Sequence, residues 1–139
     1  MATLRVELPD GDITPLLEHL DRARFINLSP GVDLEAVPPR SVIGNILGAR
    51  GPDVPLATWT PGEIGLQHSA GQRVVRTLAQ RGVDVPEEWY VVNDNPKRGL
   101  VVRTYQTPPA DCLRWLVRAA AAVCPLPVVG PWVAGVRTP

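Results

Sequence analysis

The chain has 139 residues, of which 45% are hydrophobic and 20% are charged, and its formal net charge at neutral pH is zero. This length predicts a single domain, residues 1–139, that can bury about 68% of its unfolded surface without a metal ion or a disulfide. No apolar run approaches the ~20 residues that cross a bilayer, and the first residues lack the pattern of a signal peptide, so we expect a cytoplasmic protein with no membrane partner.

The first predicted element is a strand at residues 3–8. Three hydrophobic residues alternate there with two charged ones, which is typical of a strand with one buried face, and Pro9 stops the pattern. This strand is a natural partner for strands later in the chain.

Residues 9–60 are punctuated by Pro and Gly. They carry two short helical patterns, at 15–24 and 41–50, and a segment at 25–28 that fits a brief strand. Because apolar residues recur at useful spacings, we interpret 9–60 as an irregular but ordered insertion that wraps the core.

Two capping-box patterns predict where the next helix begins. Thr60 and Ser69 are each followed three residues later by Glu or Gln, the spacing at which an N-cap residue and the third helical residue bond each other's backbone amides. Gly82 predicts a left-handed helix end, with Val83 making the accompanying hydrophobic contact. We expect the helix to run from one of these boxes to residue 82.

The last third of the chain carries the clearest patterns. β-Branched and aromatic residues predict a hairpin of strands at 89–93 and 99–105, joined by a segment dense in turn formers. Thr107 is placed to cap a helix at 108–124, which has one apolar stripe. A short extended segment at 131–137 predicts the final strand.

In chain order these elements give a strand, a helix, a hairpin, a helix and a strand. This order predicts the α+β class: an antiparallel sheet of about four strands with helices packed on one face, in the split β-α-β, ferredoxin-like arrangement. The 9–60 insertion follows the first strand.

The residue types that carry catalysis or bind metals are few and scattered. Two His and two Cys lack the close pairs of a zinc site, so we expect no metal and no cofactor. His68 precedes Ser69, but neighbours on a helix point about 100° apart and do not form a catalytic dyad. Cys112, in the first turns of the predicted helix, is favoured as a thiolate by the helix dipole. His68 and Cys112 form the alternative candidate site.

The hairpin tip is the preferred candidate for a binding site. Asp94, Lys97 and Arg98 crowd this turn, and Arg103 follows on the more polar face of the second strand. The two basic residues at the tip are suited to a phosphate or carboxylate, with Arg103 as a further donor, although turns are charged by default. Zero net charge and one Phe argue against nucleic-acid binding.

Two functional hypotheses from different classes remain. The first is a non-enzymatic module that binds a protein partner, most simply another copy of itself as a homodimer. Four Trp and an open sheet face favour it, since Trp is common at interface hot spots. The alternative is an enzyme or a protein that binds a small anionic ligand, with a pocket between the 9–60 insertion and the sheet. The residue pattern leans against an enzyme without excluding one.

Overall fold

A computed structural model describes residues 2–32 and 53–139, and the helix predicted at 41–50 lies outside these ranges. We label its elements in chain order. They are β1 (Ala2–Leu8), two short 3-10 helices (Pro9–Gly11 and Thr14–His19), β2 (Phe25–Ser29), β3 (Leu56–Thr60), β4 (Glu63–Gln67), α1 (Val74–Gln80), β5 (Tyr90–Asn95), β6 (Gly99–Arg103), α2 (Pro109–Val123) and β7 (Trp132–Thr138).

All seven strands belong to one antiparallel sheet with the order β1-β7-β2-β3-β4-β6-β5. The last strand of the chain therefore lies between the first two, where it pairs with β1 over seven residues and with β2 over five. Strands β1 and β5 are the outer strands among the described residues. Strand β5 carries a register shift between Val91 and Asn93, whereas the pairing of β1 is regular along its length.

The prediction of a four-stranded, ferredoxin-like α+β domain is wrong. Strands β2, β3 and β4 occupy the middle of a seven-stranded sheet that dominates the described chain, and the helices are few. Two of these strands come from the part of the chain interpreted as an insertion. Strand β2, expected to be brief and peripheral, pairs on both sides and buries Ile26 and Leu28 completely.

The segment around Thr60 is a hairpin turn and not the start of a helix. Thr60 pairs with Glu63 across the β3–β4 hairpin, and Gly62 has a φ of 84°. Proline at the first central position and a left-handed glycine at the second fit a type II turn. The sequence Thr-Pro-Gly-Glu satisfies the spacing of a capping box and the demands of this turn equally well.

Helix α1 is shorter than predicted but ends where the sequence indicates. It begins at Val74, after both capping boxes. At its end Gly82 is left-handed with a φ of 80°, and the Val83 amide donates to the Leu78 carbonyl at 2.8 Å. This is the six-to-one hydrogen bond of a Schellman motif, so the predicted terminus at Gly82 and Val83 is confirmed.

Helix α2 supplies much of the core by packing on β3 and β4. Its bounds agree with the prediction to within one residue, and Leu113, Leu116 and Ala120 on its apolar stripe are fully buried. No helix within residues 2–32 and 53–139 is long and apolar enough to cross a membrane.

The four tryptophans all lie in the core, each less than one tenth exposed: Trp59, Trp89, Trp115 and Trp132. Trp89 and Trp115 meet edge to face, with 5.3 Å between their ring centroids. Their indole N–H groups donate to the Thr107 hydroxyl and the Asp84 carbonyl, each at 2.8 Å. The tryptophans therefore stabilise the fold, and none is exposed to the extent expected of an interface hot spot.

Replacing Leu116 by Ala should lower the free energy of unfolding by about 2–5 kcal/mol, because truncating a fully buried side chain leaves a cavity. The matched change Leu17→Ala, at a side chain that is 41% exposed, should lower it by less than about 1 kcal/mol. Urea unfolding followed by circular dichroism measures both values. Equal losses for the two variants would contradict the placement of α2 on the core.

Candidate functional site

The hairpin tip does not gather its basic residues into one cluster. Lys97 and Arg98 are exposed in the β5–β6 turn, where the Arg98 amide donates to the side chain of Asn95 at 2.8 Å. Arg103 lies at the opposite end of β6, paired with Tyr90. It follows Gly99 by four positions along the strand, which corresponds to about 13 Å. An anion at the turn would contact Lys97 and Arg98 without Arg103, and binding there stays a prediction.

The Asp94 side chain points away from the tip and caps the N-terminus of helix α1. Its two carboxylate oxygens accept hydrogen bonds from the amides of Val74 and Val75, at 2.8 and 3.1 Å. A carboxylate at a helix N-terminus satisfies amides that have no partner within the helix and complements the helix dipole. The residue before the helix, Arg73, has a left-handed backbone conformation and makes no side-chain cap. Asp94 therefore supplies the cap from strand β5.

His68 is buried, with only 1% of its surface exposed. Its Nδ1 accepts a hydrogen bond from the Ala70 amide at 3.0 Å, which places the proton of the neutral ring on Nε2. Nε2 has no hydrogen-bond partner among the described residues. Burial lowers the pKa of His68, and the nearby charge of Asp94 opposes this shift. The ring is therefore held in one neutral form.

Cys112 is fully buried in the first turn of α2 and contributes to the core. Burial raises the pKa of this thiol, while the nearby Thr104 hydroxyl opposes the shift. Its Sγ is 3.8 Å from the Thr107 carbonyl oxygen. Desolvation outweighs the helix dipole on which the reactive-thiol interpretation depends, so the thiol stays protonated and shielded from substrates.

No hydrogen bond joins His68 and Cys112 in the described chain; His68 bonds the Ala70 amide through Nδ1, and Cys112 lies against the Thr107 carbonyl. Within residues 2–32 and 53–139, no group of three or more His, Cys, Asp or Glu side chains is placed to hold a metal ion. The residues singled out for catalysis thus serve as core and helix-terminus groups in this fold.

The outer strand β1 offers a different kind of site. Pairing with β7 occupies one side of β1, and among the described residues no strand pairs with the backbone groups on its other side. Leu4 is 43% exposed although it lies on the same face as the fully buried Leu8. Arg5 and Glu7 are exposed on the opposite face, with 4.0 Å between their charged atoms.

A second exposed apolar side chain stands beside this strand. The 3-10 helix Thr14–His19 contacts β1, and its Leu17 is 41% exposed while its neighbour Leu16 is fully buried. Leu4 on β1 and Leu17 on the helix that contacts β1 are thus both exposed apolar side chains. The alternation in residues 3–8 predicts the strand, but only the sheet order shows that no described strand pairs with its outer side.

Comparison with protein-family models, with curated proteins and with solved structures found no match to this chain.

His68 should make the stability of the protein depend on pH near neutrality. Its folded-state pKa lies below the ordinary value of 6.5, so the unfolded chain binds more protons as the pH falls through that range. The stability that neutral His68 contributes is complete above pH 6.5 or so and is lost progressively below it.

The variant His68→Asn is a suitable test, since the Asn carbonyl can still accept from the Ala70 amide but does not titrate. When the pH is lowered from about 7.5 to about 5.5, the urea midpoint should fall further for the native chain than for this variant. The same fall in both proteins would show that His68 is not the group responsible.

Proposed function

We propose that this protein is a non-enzymatic interaction module that associates with a second copy of itself through the outer edge of β1. The observation that carries the proposal is that β1 is complementary to itself. The burial of His68 and Cys112 supports a non-enzymatic role, because the two residues best suited to acid–base or nucleophilic chemistry are shielded from substrates.

Two copies of β1 can pair antiparallel about a twofold axis that passes through Val6. Leu4 then lies opposite Leu8 of the second copy, on the face of the sheet that carries the core. Arg5 lies opposite Glu7 on the other face, and the symmetry repeats this ion pair. Cross-strand pairs of opposite charge contribute roughly 0.2–1 kcal/mol each, whereas like charges repel. An axis through Arg5 would instead place two guanidinium groups face to face.

The charges on β1 select a register and do not simply block pairing. Exposed charges on an edge strand commonly prevent association with other chains. Here Arg5 and Glu7 have opposite charges and lie two residues apart. They therefore favour antiparallel pairing with a second copy of β1 in a single register. The interface is isologous, with the same patch used on both copies, and it closes as a dimer.

The proposed interface is small. A pairing of Leu4–Leu8 with its copy, bordered by Leu17, lies below the ~1,200 Å² typical of specific stable complexes. We therefore propose a reversible dimer with a micromolar dissociation constant, which assembles and dissociates with concentration. The dimer would join two seven-stranded sheets edge to edge.

Changing the charge pattern of β1 should change the association without changing the fold. Either R5E or E7R alone makes both charges on the edge alike, and each should weaken the dimer about tenfold or more. The double variant R5E/E7R restores opposite pairs in the same register and should recover native affinity. Sedimentation velocity from about 1 to about 500 µM measures the dissociation constants of the native chain and the three variants, since self-association follows mass action.

Because both side chains are exposed, thermal unfolding of the monomers should be nearly unchanged by these substitutions. An equal loss of affinity in the single and double variants would contradict the proposed register. A native chain that stays monomeric throughout this range would remove the proposal altogether.

A further inference from the structure

A cavity of about 750 Å³ opens at one end of the sheet. Its walls are the segment Leu20–Arg24, the β3–β4 turn, the loop between β6 and α2, and the end of β7 at Thr138 and Pro139. Volumes of about 300–1,000 Å³ are usual for small-molecule sites. The cavity belongs to the end of the sheet at which β2 begins and β3 ends, and no residue of β1 lines it.

The cavity lies where the chain enters β2. Trp59 pairs with Ile26 in the sheet, and both are buried. Arg24 lies in the bend just before β2, where its amide donates to the Arg137 carbonyl at 2.8 Å. Trp59 and this arginine both line the cavity, with Trp59 only 4% exposed.

Two arginines line the cavity without partners. Arg22 and Arg24 are both exposed, and neither forms an ion pair with a carboxylate of the described residues. The lining also contains Asp21, one acidic side chain beside the two arginines, and the last residue, Pro139. Guanidinium groups bind carboxylates and phosphates through paired, charge-assisted hydrogen bonds.

Tyr105 stands at the mouth of the cavity in an unfavourable backbone conformation. Its φ is 53°, in the left-handed region, and its side chain is 58% exposed. Gly or Asn adopts this conformation more easily than a bulky residue, so the turn alone does not call for Tyr. Backbone strain of this kind is commonly found at ligand sites, and an exposed aromatic ring beside a cavity offers a flat surface for stacking.

We infer that this cavity is a binding site for a small planar anion, an aromatic or conjugated carboxylate. Arg22 and Arg24 bind the anionic group, and Trp59 and Tyr105 contact the planar part of the molecule. The lining contains no His or Cys, so the site binds its ligand without transforming it. The inference does not rest on self-association, because the cavity and β1 share no residue.

A heteronuclear NMR titration with 2-naphthoate tests this site. The chain has four Trp, and the indole N–H signal of Trp59 should shift in a saturable way. The neutral amide of the same shape, 2-naphthamide, should bind about tenfold more weakly or worse, because it lacks the charge-assisted hydrogen bonds. Equal affinity for the two probes would overturn the assignment to an anion.

Variants identify the residues responsible. The double change Arg22→Gln with Arg24→Gln should weaken 2-naphthoate binding about tenfold or more, and Arg76→Gln with Arg114→Gln, matched in charge but outside the lining, should leave it unchanged. Tyr105→Asn should weaken binding while thermal stability is kept or raised, since Asn tolerates a positive φ.

No saturable shift with 2-naphthoate up to about 5 mM, or native affinity in both the Arg22/Arg24 and the Tyr105 variants, would overturn the inference. The variant R5E, which disturbs the proposed dimer, should bind 2-naphthoate as the native chain does. This control separates a failure of the pocket from a failure of the association.

Discussion

The architecture depends on one strand placed between two others that are distant from it in the chain. Strand β7 pairs with β1 on one side and β2 on the other, and it buries Trp132, Ala134 and Val136 against the core. On the opposite face Gly135 leaves room for Asn27, whose side-chain oxygen accepts from the Gly135 amide at 3.2 Å. Without β7, β1 would have no partner in the described sheet. The edge at which we propose self-association therefore depends on this long-range pairing.

Sequence reasoning succeeded where one local pattern has one physical meaning. The alternation in β1, the apolar stripe of α2 and the Gly82 helix end follow from local periodicity or backbone sterics, and each is located within one or two residues.

Sequence reasoning failed in the middle of the sheet. Strands β3 and β4 have five residues each, and Pro61-Gly62 between them fits a turn as well as a helix start. Because strand pairing lies outside local pattern, the sheet order could not be predicted.

The candidate site residues show the same division between local and long-range effects. Asp94 was singled out as a charged residue in a loop, yet it caps a helix that begins twenty residues earlier in the chain. The dipole argument for Cys112 is correct for an exposed helix terminus, but burial has the larger effect on its pKa. Neither the cavity nor the unpaired edge of β1 could be predicted, because both are formed by segments that only the folded sheet brings together.

Mixing two charge variants tests the central claim of self-complementarity most directly. R5E carries two acidic side chains on the β1 edge and E7R carries two basic ones, so each opposes pairing with its own copy. An equimolar mixture brings each acidic position opposite a basic one in the register centred on Val6. Native mass spectrometry resolves the two chains by mass, and we predict a heterodimer with little of either homodimer. A mixture that contains only monomers, or the same proportion of homodimers as the native chain, would contradict the account.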